Sequence, residues 1–233
     1  MKIQVTHPFD LSPADAIHLQ ADLRSKISLS GDPGEISVVA GADASYARGS
    51  NEIYAVAVAL RYPDMTIVER AFARVTTTFP YIPGLLTFRE GPALVEAFSR
   101  LQSEPDVIFF DGQGIAHPRG LGIASHMGIL LDRPTIGVAK SLLVGTVEDP
   151  EPARGSTSPM LHDGETIGMA VRTKDRTKPV YISVGHRIDL SRAVDLVLAT
   201  ARGYRLPEPT RQAHLFANAV RRAGGDAALL DEV

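Results

Sequence analysis

The sequence predicts an α/β fold: a mixed sheet of three antiparallel strands followed by parallel ones, flanked by helices. Three observations carry that expectation. Apolar runs between residues 36 and 75 are joined by short turns, which makes them antiparallel neighbours. The stretch from Val107 to Leu143 reads as strand, acid, glycine loop, helix, strand and lysine, the order of a βαβ unit with its chemistry at the strand ends. Finally, 44% of the 233 residues are hydrophobic, enough for one large α/β core.

The elements follow in order. Ser12-Pro13-Ala14-Asp15 opens a helix, with Ser12 as cap, Pro13 at the first position and Asp15 returning the capping bond. Ile17, Leu19, Leu23 and Ile27 give it a partly apolar face, and Gly31-Asp32-Pro33-Gly34 ends it. Ile36 to Ala42 is a buried strand carrying Asp43. Ile53 to Leu60 is its hairpin neighbour across the Arg48-Gly49-Ser50-Asn51 turn, and Met65 to Val75 is the third strand. Thr78-Phe79-Pro80-Tyr81-Ile82-Pro83-Gly84 cannot be helix interior and forms a stiff loop presenting Tyr81. A helix from Leu86 or Thr87 to Leu101 places Phe88, Leu94, Val95, Phe98 and Leu101 inward, with Glu90 near its start and Pro92 in its first turns.

The central unit comes next. Val107-Ile108-Phe109-Phe110 ends abruptly in Asp111-Gly112-Gln113-Gly114. His117-Pro118-Arg119-Gly120-Leu121-Gly122 makes a basic turn before a helix from Ile123 to Leu131. Thr135-Ile136-Gly137-Val138-Ala139 then ends in Lys140. Val144 to Asp163, rich in Pro, Gly, Ser and Glu, reads as a loop. Glu165 to Arg172 and Val180 to Val184 are two more strands around a basic turn, Lys174 to Pro179. Helices run from Ser191 to Arg202 and from Thr210 to Ala223. The last bears Arg211, His214, Arg221 and Arg222, and Gly224-Gly225 stops it.

Composition excludes several classes. With no cysteine there is no disulfide and no thiolate metal site, which allows a cytoplasmic home. The first residues lack the apolar core of a signal peptide, and no apolar run approaches the ~20 residues of a membrane span. A net charge of −3 argues against indiscriminate coating of nucleic acid but leaves room for a local basic face.

Singly, the polar residues have ordinary readings. Asp111 at a strand end suits a turn or helix cap. Glu90 is a first-turn acid favoured by the helix dipole. Lys140 is a solvated strand end, and Tyr81 packs in a proline-rich turn. Together they say more. Carboxylates gathered from separate elements hold Mg²⁺, which takes oxygen ligands and keeps several waters.

The element order is that of the ribonuclease H-like fold, in which Asp43 and Asp111 fall where that fold places metal carboxylates. Six local motifs narrow the likeness: Val39-Ala40-Gly41-Ala42-Asp43, Pro80-Tyr81-Ile82-Pro83-Gly84, Phe88-Arg89-Glu90, Asp111-Gly112-Gln113-Gly114, His117-Pro118-Arg119 and Gly137-Val138-Ala139-Lys140. From about Leu11 to Arg222 the chain resembles the endonuclease V family, departing at Gln113, where some members carry histidine.

That resemblance implies one catalytic domain over residues 1–233. It implies Mg²⁺, with Mn²⁺ as substitute, held by Asp43 and Asp111, with Glu90 as third ligand or as the group orienting the nucleophile. Lys140 sits by the scissile phosphate or steadies a carboxylate, and His214 lies close to the metal. It implies that Tyr81 wedges into the base stack. The expelled base enters a pocket built from the loop Pro80, Tyr81, Ile82, Pro83 and Gly84 together with Leu86, Gly112, Gly114, His117, Gly122, Ile123 and Leu143. Arg89, Arg119, Lys174, Arg176, Arg205 and Arg211 are expected phosphate contacts. The implied activity is cleavage of the second phosphodiester bond 3′ to deoxyinosine in DNA, leaving 3′-hydroxyl and 5′-phosphate ends. The implied enzyme is a cytoplasmic monomer with no membrane partner. The rival readings are an inosine-specific endoribonuclease with the same site, a non-catalytic binder of distorted DNA, and another ribonuclease H-like nuclease without inosine preference.

Overall fold

Strand β2 (Glu52–Arg61) is buried from Ile53 to Leu60, so it must be sandwiched between two layers. The computed structural model, which describes residues 1–226, places it second in a nine-stranded sheet. The order is β3-β2-β1-β4-β5-β9-β8-β7-β6. β1 (Val38–Ser45), β2 and β3 (Thr66–Thr76) are antiparallel, as their short turns require. β4 (Val107–Phe110) lies parallel to β1, and β5 (Thr135–Ala139) parallel to β4. The sheet then reverses, because β9 (Val180–His186) pairs with β5 antiparallel.

Alternation along β2 sorts the core. Val56 and Val58 face one layer, where α4 (Leu190–Thr200) and α5 (Glu208–Arg222) pack through Leu196, Val197, Phe216 and Val220. Ala55 and Ala57 face the other layer, where α2 (Leu86–Arg100) and α3 (Ile123–Leu131) bring Leu94, Phe98, Met127 and Leu130. Small residues on that side let the helices approach closely. Each large side chain fully buried here contributes ~1.5–3 kcal/mol relative to exposure.

Two expectations need correction. The stretch from Val144 to Asp163 is not all loop: β6 (Thr146–Val147) and β7 (Thr157–His162) extend the sheet, β7 pairing with β8 (Glu165–Val171). Pro159 is tolerated in β7 because only a two-residue strand pairs with its outer side, at Met160 and Leu161. α1 (Pro13–Arg24) stops at Ser25, well before the Gly31 turn. Its inward face is Ala16, Gln20 and Leu23, and Ile17 is exposed. Pro92, the seventh residue of α2, lies in its first turns as expected and cannot donate to the Phe88 carbonyl. Part of the expected single domain, residues 227–233, lies outside the described residues.

Candidate active site

Parallel pairing aligns the tips of β1 and β4. Ala42 is opposite Phe110, and the Asp111 amide donates to the Ala42 carbonyl at 3.2 Å. Asp43 and Asp111 therefore leave adjacent strands side by side. β5 is next in register, Gly137 opposite Phe110, and delivers Lys140 to the same edge. Lys140 Nζ donates to Asp111 Oδ2. The Arg205 guanidinium donates to the Lys140 carbonyl at 2.6 Å and to that of Pro179 at 2.8 Å, which clamps this strand end.

Two glycines make the assembly possible. A Cβ on Gly41 would lie 3.0 Å from Pro209 Cα and nearer still to its carbonyl. The start of α5 thus rests backbone on backbone against β1, and His214 comes to stand over Asp43. A Cβ on Gly137 would reach within 2.8 Å of the Gly112 carbonyl oxygen. Without one, the loop after Asp111 folds across β5.

His214 Nδ1 donates to Asp43 Oδ2 at 2.8 Å and lies 3.7 Å from Asp111 Oδ2. Asn218, one turn along α5, donates to His214 Nε2 at 3.3 Å, and its Oδ1 accepts from the Ser45 hydroxyl at 3.2 Å. In the neutral ring this leaves the proton on Nδ1, facing the carboxylates. The Asp43 bond is the chief cause that raises the His214 pKa. Burial, then the negative charge of Asp43, raises Asp111 above the usual carboxylate range, with Lys140 opposing.

One atom each from Asp43, Asp111 and His214 lies within 4.8 Å of the others. Two carboxylate oxygens and an imidazole nitrogen could hold a metal ion. The partly buried, like-charged pair also creates the demand for positive charge that Lys140 and His214 meet here. Glu90 stands outside that cluster. It is buried on α2, hydrogen-bonded to the Tyr46 hydroxyl, and desolvation followed by the charges of Asp43 and Asp111 pushes it up to about 8. It is near enough to feel both aspartates, while His214 stands directly beside them, close to the metal site as expected.

Beside the acids lies a pocket of about 140 Å³, lined by Tyr81, Ile82, Pro83, Gly84, Leu86, Thr87, Gln113, His117, Leu121, Gly122, Ile123 and Leu143. That is well below the ~300–1,000 Å³ of a drug-sized site and on the scale of one planar base. Three of the expected residues are elsewhere. Pro80 faces a neighbouring groove. Gly112 packs against Ile123, and Gly114 against the Val184 carbonyl. Sequence reading missed Thr87, Leu121 and Gln113, the last noted only as a departure. Gln113 Nε2 donates to the Ser141 carbonyl at 2.9 Å, which leaves Oε1 as a buried acceptor without a partner.

The rim is fixed by polar clasps on one carbonyl. Gly84 O accepts from Gln20 Nε2 at 2.9 Å, from Arg119 Nη2 at 2.5 Å and from His117 Nε2 at 3.1 Å. Burial and the Arg119 charge lower His117 to about 4, so its ring stays neutral. Of the expected phosphate contacts, Arg119 is thus tied to the pocket rim and Arg205 to the lysine strand. Arg89 is buried and donates to the carbonyls of Phe79 and Ser50, and Arg211 stacks on Tyr204 at 3.8 Å and pairs with Glu208.

Paired carboxylates with a histidine and a lysine, at strand tips of a mixed sheet beside a base-sized pocket, define a nuclease, a hydrolase of phosphodiester bonds. The family model for endonuclease V matches residues 21–215. Endonuclease V of Gloeobacter violaceus is 48% identical over 220 residues, covering 93% of this chain and 89% of that one. The crystal structure of endonuclease V from Streptomyces avermitilis superposes with a TM-score of 0.89 at 37% identity, covering 97% of this chain and all of that one. The Ciona intestinalis enzyme, in complex with a 24mer DNA containing an inosine followed by a ribo-adenosine, gives 0.79 at 27% identity over 90% of this chain and 97% of that one. This chain belongs to the endonuclease V family.

Proposed function

We propose that the protein is a Mg²⁺-dependent repair endonuclease that recognises deoxyinosine in DNA and hydrolyses the second phosphodiester bond on its 3′ side, leaving 3′-hydroxyl and 5′-phosphate ends. One observation carries this reading. Asp111 belongs to the acid cluster and Gln113 to the base pocket, so a single loop joins recognition to cleavage with only Gly112 between. Two adjacent but separate sites suit a cut displaced from the lesion. The inosine-containing DNA bound by the Ciona relative supports the substrate.

The exposed Tyr81 ring, on a proline-stiffened loop, fills the gap left by the flipped base. Flipping costs a few kcal/mol, least for a weakly paired base such as hypoxanthine. Ile82, Leu86 and Ile123 pack on the faces of the expelled base, and the unpartnered Gln113 Oε1 is an acceptor suited to a base N–H. Asp43 and Asp111 would hold Mg²⁺, with His214 beside them and Glu90 as a third ligand or the group that orients the nucleophile. When bound, that ion would provide an activated water and charge relief on the phosphate. Lys140 keeps Asp111 in position and adds a cation near the scissile phosphate. His214, its Nδ1 proton on Asp43, fixes that carboxylate's orientation. One sheet, the helices packed on it and the loops between them carry all of these residues, so we read the chain as one catalytic domain, and we propose that it is monomeric and cytoplasmic; among the described residues no helix is long and apolar enough to cross a membrane.

The test is an end-labelled duplex with one inosine, incubated with Mg²⁺ or with chelator, beside the matched RNA. The expected product is a single nick, one nucleotide beyond the inosine's own 3′ phosphodiester, only with Mg²⁺ and only in DNA. Nicking of inosine-free control DNA at an equal rate would refute the proposal.

A further inference from the structure

Tyr81 has a second side. It also walls a larger open groove, of about 640 Å³, formed by Tyr46, Arg48, Gly49, Ser50, Asn51, Pro80, Tyr81 and Arg89. The wedge loop divides its residues between the two concavities, Ile82 and Pro83 toward the base pocket and Pro80 toward the groove. The mechanism above makes no use of this groove.

Its construction is specific. Arg89 fastens both walls, donating to the Phe79 carbonyl at the root of the wedge loop (2.5 Å) and to the Ser50 carbonyl in the β1–β2 turn (2.6 Å). The same guanidinium lies 5.2 Å over the Tyr46 ring. The turn itself is closed by the Ser50 amide on the Ala47 carbonyl at 2.9 Å. The walls are thus held at a set spacing before anything binds. Among the described residues the groove has no acidic lining residue. Among the described residues, the Arg48 and Asn51 side chains make no hydrogen bond or ion pair, and both are exposed.

A wedge that replaces a flipped base leaves two orphans: the base that has left and the nucleotide that faced it. We propose that this groove holds the second, the unpaired nucleotide of the opposing strand. The inference rests on the nuclease reading above. Tyr81 and Pro80 offer flat faces for its base, the Asn51 amide offers both a donor and an acceptor to its edge, and Arg48 meets its phosphate. Stacking and one phosphate contact tolerate any base, as a lesion opposite varied partners requires.

The test compares kcat/KM for nicking three DNA substrates: an inosine single strand, its full duplex, and a duplex with a one-nucleotide gap opposite the inosine. In the double variant Arg48→Ala/Asn51→Ala, the duplex-to-single-strand ratio should fall about tenfold relative to wild type, the scale of one lost phosphate contact. On the gapped duplex that deficit should vanish. Equal losses on single strand and duplex, no loss on either, or a deficit that persists across the gap would each overturn the groove assignment. Failure of the wild type to nick any of the three would sink the nuclease reading and this one with it.

Discussion

The acid cluster and the base pocket lie two residues apart along the chain and are built in opposite ways. The cluster is made of side chains: Asp43, Asp111, Lys140 and His214 come from four elements and hold one another by charge. The pocket is made of backbone and mostly apolar walls, and its rim is held by Gln20, His117 and Arg119 clasping the Gly84 carbonyl. Chemistry needs groups that change charge state, so it tolerates partial exposure. Recognition of one flat base needs a fixed shape, so its polar groups serve as fasteners.

The contrast predicts different kinetic signatures. The largest effect is expected for Asp111→Asn, which removes a ligand charge while keeping shape. Nicking should fall about a thousandfold with binding of inosine duplex retained, measured by single-turnover cleavage and polarisation. Loss of binding in parallel would merge the two regions into one. Tyr81→Ala should raise KM for duplex about tenfold and leave kcat nearly unchanged, with Tyr81→Phe close to wild type in steady-state assays. A matching fall in kcat would place the ring in the chemistry.

Gln20→Ala reaches the pocket from behind. Removing a buried group that serves both Gly84 O and, through Oε1 at 2.5 Å, Arg119 should cost ~1–3 kcal/mol in denaturant unfolding and relax discrimination between inosine and adenosine. Unaltered discrimination would show that the rim does not need its clasps. The smallest effect concerns Glu90. Its carboxyl keeps a proton up to about pH 8 in the folded metal-free protein but loses it near 4.5 when unfolded. Between those values the unfolded chain binds fewer protons, so stability falls as pH rises. Glu90→Gln should therefore melt ~2–4 °C higher than wild type at pH 8 in chelator, and equally at pH 4, by calorimetry. Equal melting at both would remove Glu90 from the buried-charge account.

Most of the fold was legible because its signals are local. Short turns told antiparallel from parallel, and apolar runs ending in Asp111 and Lys140 marked strand tips. The edge strands β6 and β7 were not, because Pro150, Pro152, Pro159 and several serines mask pairings that depend on β8. Asp43 and Asp111 were legible as strand-end acids. His214 was placed near them only through the family resemblance, since its contact with Asp43 depends on how closely α5 approaches β1 at Gly41. Not legible at all were the role of Gln20, a polar residue in a helix whose expected face was aliphatic, and those of Arg89, Arg119 and Arg205, whose guanidinium groups are committed to backbone carbonyls within the protein.

The seat of α5 on Gly41 has a consequence for biosynthesis. A ribosome delivers Asp43 171 positions before His214. Until α5 emerges and docks, the aspartate tips lack their imidazole neighbour. The strands that carry the acids are thus made well before the helix that completes their surroundings.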